Sequence, residues 1–280
     1  MERYAMPELP EVQTIVNDLN ASGIVGGRIC KARVYWEATI ASPSVADFPA
    51  KIEGRKIQAV HRRGKYIVFQ FNDGWVLAVH LRMTGRFIIA NGPVKPMRHL
   101  QVVLEMSDGR VLCYHDTRKF GRFYLTDHPD RLLGALGPEP LGRGFSSKKL
   151  VLALLKRKRQ IKPLLLDQHF IAGLGNIYVD EALWAARIHP LRRSDTLSTE
   201  EIRALHRAIR RVLRGGLKNR GTTLGRGEGN FYSLGSSRGA NEKQLKVFRR
   251  TGQPCSRCGH LVQRIIVGQR STHLCNVCQR

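Results

Sequence analysis

Met6-Pro7-Glu8-Leu9-Pro10-Glu11-Val12 is the stretch near the start of the chain that sets its first element. Pro10 suits the first turn of a helix, and Glu11 is stabilised by the positive end of the helix dipole. Apolar residues then recur at helical spacing over the next turns. The stretch therefore predicts a helix over residues 10–20, and Pro7 and Pro10 can be read simply as prolines of a helix start.

The residues from about 29 to 127 follow a different period. Runs rich in β-branched and aromatic residues are separated by turn sequences such as Asn72-Asp73-Gly74 and Ser107-Asp108-Gly109. The runs cover residues 66–71, 75–79, 86–90, 100–105 and 110–114. Short strands at regular spacing favour a β-sandwich or a barrel.

A helical region follows the Gly- and Pro-rich segment at residues 136–142. We place the domain boundary at 145/146, because the apolar pattern beyond it is helical. The predicted helices cover residues 148–156, 161–166, 175–187 and 199–215. Ser198-Thr199-Glu200-Glu201 is a capping box that starts the last of them. The loop at 221–241 is long enough to suggest a function.

The end of the chain contains two cysteine pairs, Cys255-x2-Cys258 and Cys275-x2-Cys278, with sixteen residues between them. Each pair can bring two thiolates to the same tetrahedral Zn²⁺, and the intervening residues are enough for a β-hairpin. Because four protein ligands leave no open position for water, we predict one structural zinc. A redox pair is the alternative, but no βαβ pattern lies nearby. Cys30 and Cys113 lie in strand-like segments and are predicted core residues.

The composition indicates a polyanionic partner. The 280 residues include 47 Lys and Arg against 22 Asp and Glu, which gives a net charge of +25. Nucleic acid is the expected partner, and a merely basic protein or a binder of anionic membranes are the alternatives. No apolar run reaches the roughly 18 residues of a membrane-spanning helix. The chain also opens without a signal-peptide pattern, and its cysteine usage suits a reducing cytoplasm.

Separate motifs along nearly the whole chain together resemble the formamidopyrimidine-DNA glycosylase family, and they occur in the family's order. They are the opening stretch, Arg63-Gly64-Lys65-Tyr66, residues 80–85, Asp116-x-Arg118-Lys119-Phe120-Gly121, residues 136–141, residues 173–178 and the terminal cysteines. The resemblance implies an α+β multidomain protein. It would have a catalytic β-sandwich with flanking helices at 6–145, a helix–two-turns–helix DNA-binding domain at 146–245 and a zinc β-hairpin finger at 246–280.

The resemblance also implies a base excision repair enzyme with glycosylase and abasic-site lyase activities. A neutral secondary amine can attack C1′ of a sugar and form an iminium, which acidifies the C2′ proton and permits strand cleavage by elimination. The family assigns the amine to Pro7, the general acid to Glu8, an essential cation to Lys65 and a phosphate-binding guanidinium to Arg270. From the residues alone, Lys65 and Arg270 can also be ordinary surface cations.

Three residues match the family's void-filling set, namely Met83, Arg118 and Phe120. Once a nucleotide has left the helix, an aromatic wedge and an arginine can occupy the emptied stack and contact the orphan base. Ordinary core packing is the alternative role for Met83 and Phe120. The position of Arg118 in a turn bounded by glycine favours the wedge interpretation.

Three more residues match DNA contacts of the family. His99 is one of them, although the family often has two histidines in this segment and this chain keeps one. Asn176 would present donors to a phosphate from a helix N-terminus, and a helix N-cap is a compatible alternative. Lys162 would contact a phosphate, with a solvated lysine as the alternative. The run 156–159 would add non-specific affinity.

The residues before Pro7 create a chemical problem. A proline inside a chain has no basic nitrogen, because its lone pair is delocalised into the amide. We therefore expect Met6 to be the true start, with residues 1–5 a mis-assigned extension and Met6 removed to free Pro7. The alternative is a processed or inactive enzyme.

We expect the partner to be double-stranded DNA with oxidised bases, and the protein to be a monomer in the bacterial cytoplasm at the nucleoid, without membrane association. The expected substrates are oxidised purines such as 8-oxoguanine and formamidopyrimidines, because Leu9 in the opening motif favours the purine enzyme. One alternative is an endonuclease VIII-type enzyme for oxidised pyrimidines. A non-catalytic DNA-binding protein is the other, if the extension is retained.

Overall fold

The computed structural model describes residues 6–95, 97–225, 230–234 and 237–280, which form two compact units. The first unit holds the described residues from 6 to 135 together with those from 219 to 240, and the second holds residues 136–218 and 241–280. Sheets dominate the first unit, whereas the second contains helices and a terminal hairpin. The expected α+β multidomain class is confirmed.

The two compact units divide at 135/136. The Gly- and Pro-rich segment packs on the helical side, because the N–H of Gly137 donates to the carbonyl of Gln168 at 2.9 Å. The N–H of Ala172 likewise donates to the carbonyl of Pro138 at 3.2 Å. The long loop also belongs to the first unit, although parts of it, residues 226–229 and 235–236, lie outside the described residues.

The described residues of the first unit form two sheets and three α-helices. The helices are α1 (Leu9–Ala21), α2 (Asp47–Ile52) and α3 (Asp130–Leu133). The strands are β1 (Ile29–Val34), β2 (Ile40–Ser42), β3 (Ile57–Arg63), β4 (Tyr66–Phe71), β5 (Val76–His80), β6 (Gly85–Asn91), β7 (Leu100–Met106), β8 (Arg110–Asp116) and β9 (Arg122–Thr126). One sheet has the order β1-β7-β8-β6 and the other β2-β9-β5-β4-β3. The predicted strands and turns are therefore present.

The core of the first unit is built from the apolar sides of its strands and of α1. Phe87, Tyr114 and Phe123 form part of an aromatic cluster, with ring centroids 4.8 to 6.2 Å apart. Cys113 is buried as predicted. The prediction for Cys30 is wrong, because this residue is exposed on β1, a strand at the edge of its sheet.

The second unit contains four α-helices and a hairpin among its described residues. They are α4 (Ser147–Leu155), α5 (Ile161–Leu166), α6 (Asn176–Ala186), α7 (Thr199–Lys218), β10 (Gln263–Val267) and β11 (Arg270–Leu274). The capping box is confirmed, because the N–H of Glu201 donates to Ser198 Oγ at 3.2 Å and the N–H of Ser198 donates to Glu201 Oε2 at 2.7 Å. No helix in the described parts of the chain is both long and apolar enough to cross a membrane.

Candidate active site and metal centre

Pro7 and Glu8 lie at the buried start of α1. Glu8 is the N-cap residue and is 2% exposed. It shares a capping box with Glu11, whose Oε2 accepts the N–H of Glu8 at 2.9 Å. The two residues predicted as nucleophile and general acid therefore lie at the positive end of the helix dipole.

Glu11 connects the start of α1 to the segment that follows α7. Its Oε1 accepts the N–H of Thr222 at 2.7 Å. A Cβ on Gly221 would lie 3.0 Å from Glu11 Cγ, and the φ of this glycine is +85°, so the close approach requires glycine here. The sequence predicts no role for Glu11 beyond the helix dipole, yet this carboxylate joins the start of the long loop to the helix that follows Pro7.

Lys65 lies in the turn between β3 and β4, where it is 8% exposed. Helix α1 packs on these strands, and Arg62 Nε donates to Gln13 Oε1 at 3.1 Å. Lys65 is therefore buried in the hairpin next to α1, and the surface-lysine interpretation is wrong.

The lowered pKa of His80 indicates a positive electrostatic environment beside Lys65. Burial, Arg82 and Lys65 together lower the pKa of His80 to about 3, so its ring is neutral near pH 7. His80 Nδ1 accepts the N–H of Arg82 at 3.0 Å, which agrees with a neutral ring. Fixed cations in this region favour nearby negative charge, including phosphate.

Met83, Arg118 and Phe120 lie together and are called the wedge cluster below. Arg118 Nη1 is 2.9 Å from Met83 Sδ, and the Arg118 guanidinium carbon is 4.6 Å from the centre of the Phe120 ring. Phe120 is 46% exposed. Core packing therefore does not explain Phe120, whose ring stands at the surface beside a cation.

One buried carboxylate holds the turn that carries Arg118 and Phe120. Asp116 is 1% exposed, and its Oδ1 accepts the N–H of Arg118 at 3.1 Å. Its Oδ2 accepts the N–H groups of Phe120 at 2.8 Å and Gly121 at 2.7 Å. The hydroxyl of Thr84, the residue after Met83, also donates to Asp116. Asp116 thus fixes both turns of the wedge cluster. Its position at the start of the motif that ends at Gly121 is the sequence feature that could have indicated this role.

His99 is tied to the same region through its backbone. It has a left-handed φ of +68°, and its carbonyl accepts the N–H of Asp116 at 3.0 Å. The side-chain amide of Gln101 donates to the carbonyls of His99 and Asp116, at 3.0 and 3.1 Å. The structure therefore brings His99 to the strand end from which Arg118 projects.

Lys162, which is predicted to contact a phosphate, is buried and paired in this structure. Lys162 is fully buried, and its Nζ donates to Asp180 Oδ1 at 2.6 Å and to the carbonyl of Ser271 at 3.1 Å. Asp180 Oδ2 also accepts the N–H of His273 at 2.8 Å. The charge of Lys162 is therefore neutralised by Asp180 inside the second unit. Because both residues also bond the backbone of β11, the pair fixes this strand to α5 and α6. Two adjacent acids in an otherwise apolar helix, Asp180 and Glu181, were the signal for such buried partners.

Asn176 and Arg270 are both associated with strand β11. Asn176 is the first residue of α6, whereas Gly175 is the N-cap. Asn176 Nδ2 donates to the carbonyl of Ser271 at 2.8 Å, and its Oδ1 has no hydrogen-bond partner among the described residues. Arg270 is exposed at the start of β11, next to Ser271. The first residue of α6 is thereby hydrogen-bonded to the strand that begins with the exposed Arg270.

Glu181 fixes the segment that leads to the cysteine module. Its buried carboxylate accepts the N–H groups of Lys246, Val247 and Phe248 at 2.8 to 3.0 Å. Burial raises the pKa of Glu181, although these donors oppose the shift. Helix α6 therefore holds both the hairpin and its connecting segment.

The four terminal cysteines converge as a metal site. Their sulfur atoms all lie within 4.8 Å of one another. Cys255 and Cys278 are 4.0 Å apart and Cys258 and Cys275 3.5 Å, close to the roughly 3.8 Å that tetrahedral Zn–S bonds of about 2.3 Å require. This donor set fits one structural Zn²⁺, with no ligand position left for a reacting group.

The pKa values of these thiols depend on how close the four sulfur atoms lie to one another. Burial alone would raise the pKa of Cys255, but donors including the Arg257 N–H and Trp184 Nε1 lower it to about 6. Burial and the neighbouring thiols raise the pKa of Cys278 to about 12. A bound Zn²⁺ relieves the repulsion that opposes ionisation of the whole set.

Comparisons with known proteins agree with this geometry along the chain. Residues 6–123 match the Formamidopyrimidine-DNA glycosylase N-terminal domain, and residues 136–226 match the Formamidopyrimidine-DNA glycosylase H2TH domain. Residues 252–280 match the zinc finger found in FPG and IleRS.

Individual relatives are similar over their full length. The formamidopyrimidine-DNA glycosylase of Protochlamydia amoebophila is 46% identical over 275 residues, which cover 98% of this chain and 100% of the relative. A Lactococcus lactis FPG variant solved with Fapy-dG containing DNA is 37% identical with a TM-score of 0.89, over 98% of this chain and 100% of that one. The wild-type lactococcal protein, solved with DNA containing an oxidised pyrimidine, has a TM-score of 0.88 at 37% identity and the same coverage.

Proposed function

This chain belongs to the formamidopyrimidine-DNA glycosylase family, and we propose on that basis how its residues act. It is a DNA glycosylase that excises oxidised purines, including formamidopyrimidines and 8-oxoguanine, from double-stranded DNA, and it cleaves the abasic strand. The observation that carries the assignment of residues is the placement of Pro7 and Glu8 at the buried, positive start of α1.

The chemistry starts once the damaged nucleotide has left the helix. The Pro7 nitrogen attacks C1′, the bond from C1′ to the base breaks, and Glu8 supplies a proton to the sugar ring oxygen or to the departing base. Opening of the sugar ring gives an iminium between Pro7 and C1′. Loss of the C2′ proton then expels the 3′ phosphate, and a second elimination expels the 5′ phosphate. Hydrolysis of the iminium frees Pro7.

The other predicted residues support these steps. Lys65 supplies a cation at the hairpin beside α1, and Arg270 grips a phosphate from the zinc hairpin and assists the second elimination. The wedge cluster fills the space left by the extruded nucleotide, with His99 beside it. Asn176 offers its amide at the start of α6. Lys162 pairs with Asp180 and holds the strand next to Arg270.

Cleavage requires that Pro7 carry a free amine. We propose that the active form begins at Pro7, because a proline nitrogen inside an amide cannot form the iminium. The family match that starts at residue 6 supports this proposal. We further propose functional limits of 6–145 for catalysis, 146–245 for DNA binding and 246–280 for the finger; these limits divide the chain by role, whereas the compact units divide at 135/136. We also propose a monomer that works at the nucleoid in the bacterial cytoplasm without a membrane partner.

Borohydride trapping tests the mechanism directly. A preparation that begins at Pro7 and one that retains residues 1–6 are each incubated with abasic duplex and borohydride, and the covalent peptide is sequenced by mass spectrometry. We expect an adduct on Pro7 in the first preparation and none in the second. An adduct on a lysine, or equal trapping by the longer chain, would show that Pro7 is not the nucleophile.

A lesion panel separates the purine enzyme from its sister type. A lactococcal relative has been solved with oxidised-pyrimidine DNA, so pyrimidine lesions belong in the panel beside 8-oxoguanine and formamidopyrimidines. We expect faster excision of the purine lesions. Binding without any excision or trapping would instead indicate a non-catalytic DNA-binding protein.

A further inference from the structure

Helix α7 carries a row of cations that the proposed function does not use. Its members are Arg203, Arg207, Arg211, Arg214 and Lys218, and all of them are exposed. They are spaced by three or four residues, so they follow one line along the helix. At 1.5 Å per residue the line is about 22 Å long. We call it the α7 cation row.

The row points away from the rest of the second unit. The buried residues of α7 are Ile202, Leu205, Ala208, Ile209, Leu213 and Gly216. At about 100° per residue, their mean direction is about 180° from that of the cation row. Gly216 packs against Tyr178 of α6, so α6 and its first residue, Asn176, lie on the buried side. The row is therefore a separate surface from the one around Asn176 and Arg270.

The charge of the row is not neutralised within the described part of the chain. No carboxylate there forms an ion pair with any of the five cations, whereas Arg192 on the preceding segment does pair, with Glu201. The one acid in line with the row is Glu200, at the first turn. Because like charges at this spacing destabilise a helix, an external anion is the natural counter-charge.

The residue types of the α7 cation row indicate which kind of partner it fits. Protein interfaces centre on aromatic or large apolar anchors, and no large apolar residue among the described residues of α7 is markedly exposed. A phosphate backbone needs only cations, because its contacts carry no base information. We propose that the α7 cation row is a second DNA-binding surface, which holds the backbone of an undamaged duplex segment while a damaged segment occupies the active site.

The test fills the active site first. The protein is saturated with a duplex that contains a tetrahydrofuran abasic analogue, and binding of a fluorescent undamaged duplex is then followed by anisotropy over a salt series. We expect the second duplex to bind with an affinity that falls as salt rises, with a slope of about 0.9 for each phosphate contacted. In R207Q/R211Q/R214Q the slope should shrink by about 2.7, since three cations are lost.

A charge-matched variant serves as the control. R207K/R211K/R214K keeps the cations, and both Gln and Lys have helix propensities near that of Arg, so both variants should fold as the wild type does. The Lys variant should keep the second binding event, and both variants should excise 8-oxoguanine from a short duplex at the wild-type rate.

Three results would overturn the proposal. They are a filled complex that binds no second duplex, a Gln variant with an unchanged salt slope, and Arg-dependent binding of polyglutamate without binding of the duplex. The last result would assign the row to an acidic protein. If excision failed while the second duplex still bound, the proposed function would fail and this surface would stand.

Discussion

Asp116 is the residue on which the wedge cluster depends most, because one carboxylate accepts three backbone N–H groups and the hydroxyl of Thr84. In Asp116→Asn an amide nitrogen would face donors that now have a carboxylate partner. We expect a loss of about 1–3 kcal/mol in stability. We also expect excision to slow more for a lesion in a fully paired duplex than for one opposite a gap, where less stacking must be replaced. Thermal unfolding and single-turnover excision measure the two effects.

Asp47→Asn is the matched control, since Asp47 is exposed at the start of α2 in the same unit. It should leave both quantities unchanged. Equal slowing on the paired and gapped substrates by Asp116→Asn would mean that Asp116 supports the unit's stability and does not position the wedge cluster.

At the scale of elements, helix α6 and strand β11 are joined by a buried ion pair. Asp180 neutralises Lys162 and accepts the N–H of His273, while Lys162 donates to the carbonyl of Ser271. In Asp180→Asn the Lys162 charge is left buried without its partner, and we expect a loss of about 3–5 kcal/mol in stability. DNA affinity should fall with it, because Arg270 begins the loosened strand. Denaturant unfolding and duplex titration test both.

A double-mutant cycle with Lys162→Met is the control. Removing both charges should recover much of the stability lost in Asp180→Asn, because no unpaired ion remains. Strictly additive losses would show that the two residues act independently and that the pair does not hold β11.

At the scale of the whole molecule, a single metal ion supports the end of the chain. Trp184 Nε1 lies 3.4 Å from Cys255 Sγ, and the Arg257 guanidinium carbon lies 4.1 Å from the centre of its ring. A strong chelator should therefore release one zinc per chain, change the Trp184 fluorescence and weaken duplex binding. A colorimetric zinc assay measures the first effect, and Trp184→Phe should abolish most of the second.

Cys30→Ser is the thiol control, because Cys30 is exposed on β1, outside the cluster. It should retain a full zinc equivalent. A chain that loses zinc but keeps its fluorescence and duplex affinity would contradict a structural role for the metal.

Helix α1, the central strands β4 to β8, the helices α4 to α7, the zinc ligands and the DNA partner followed from the sequence alone, whereas β1, β2, β3, β9, α2 and α3 did not. Hydrophobic period, turn residues, cysteine spacing and net charge are local or additive properties, so they can be read without coordinates. The same holds for the capping box at Ser198 and for the motifs that carry the family resemblance.

Burial and partner choice were decided only by tertiary structure. Lys162 and Arg270 are both cations that match residues of the family, yet Lys162 is buried in an ion pair with Asp180 and Arg270 is exposed. Asp116 and Glu11 likewise acquire their roles from backbone donors that are distant in sequence or arise only when the turn closes. Such contacts depend on which surfaces meet in three dimensions, and the free energy of a buried charge depends on those neighbours more than on the residue itself.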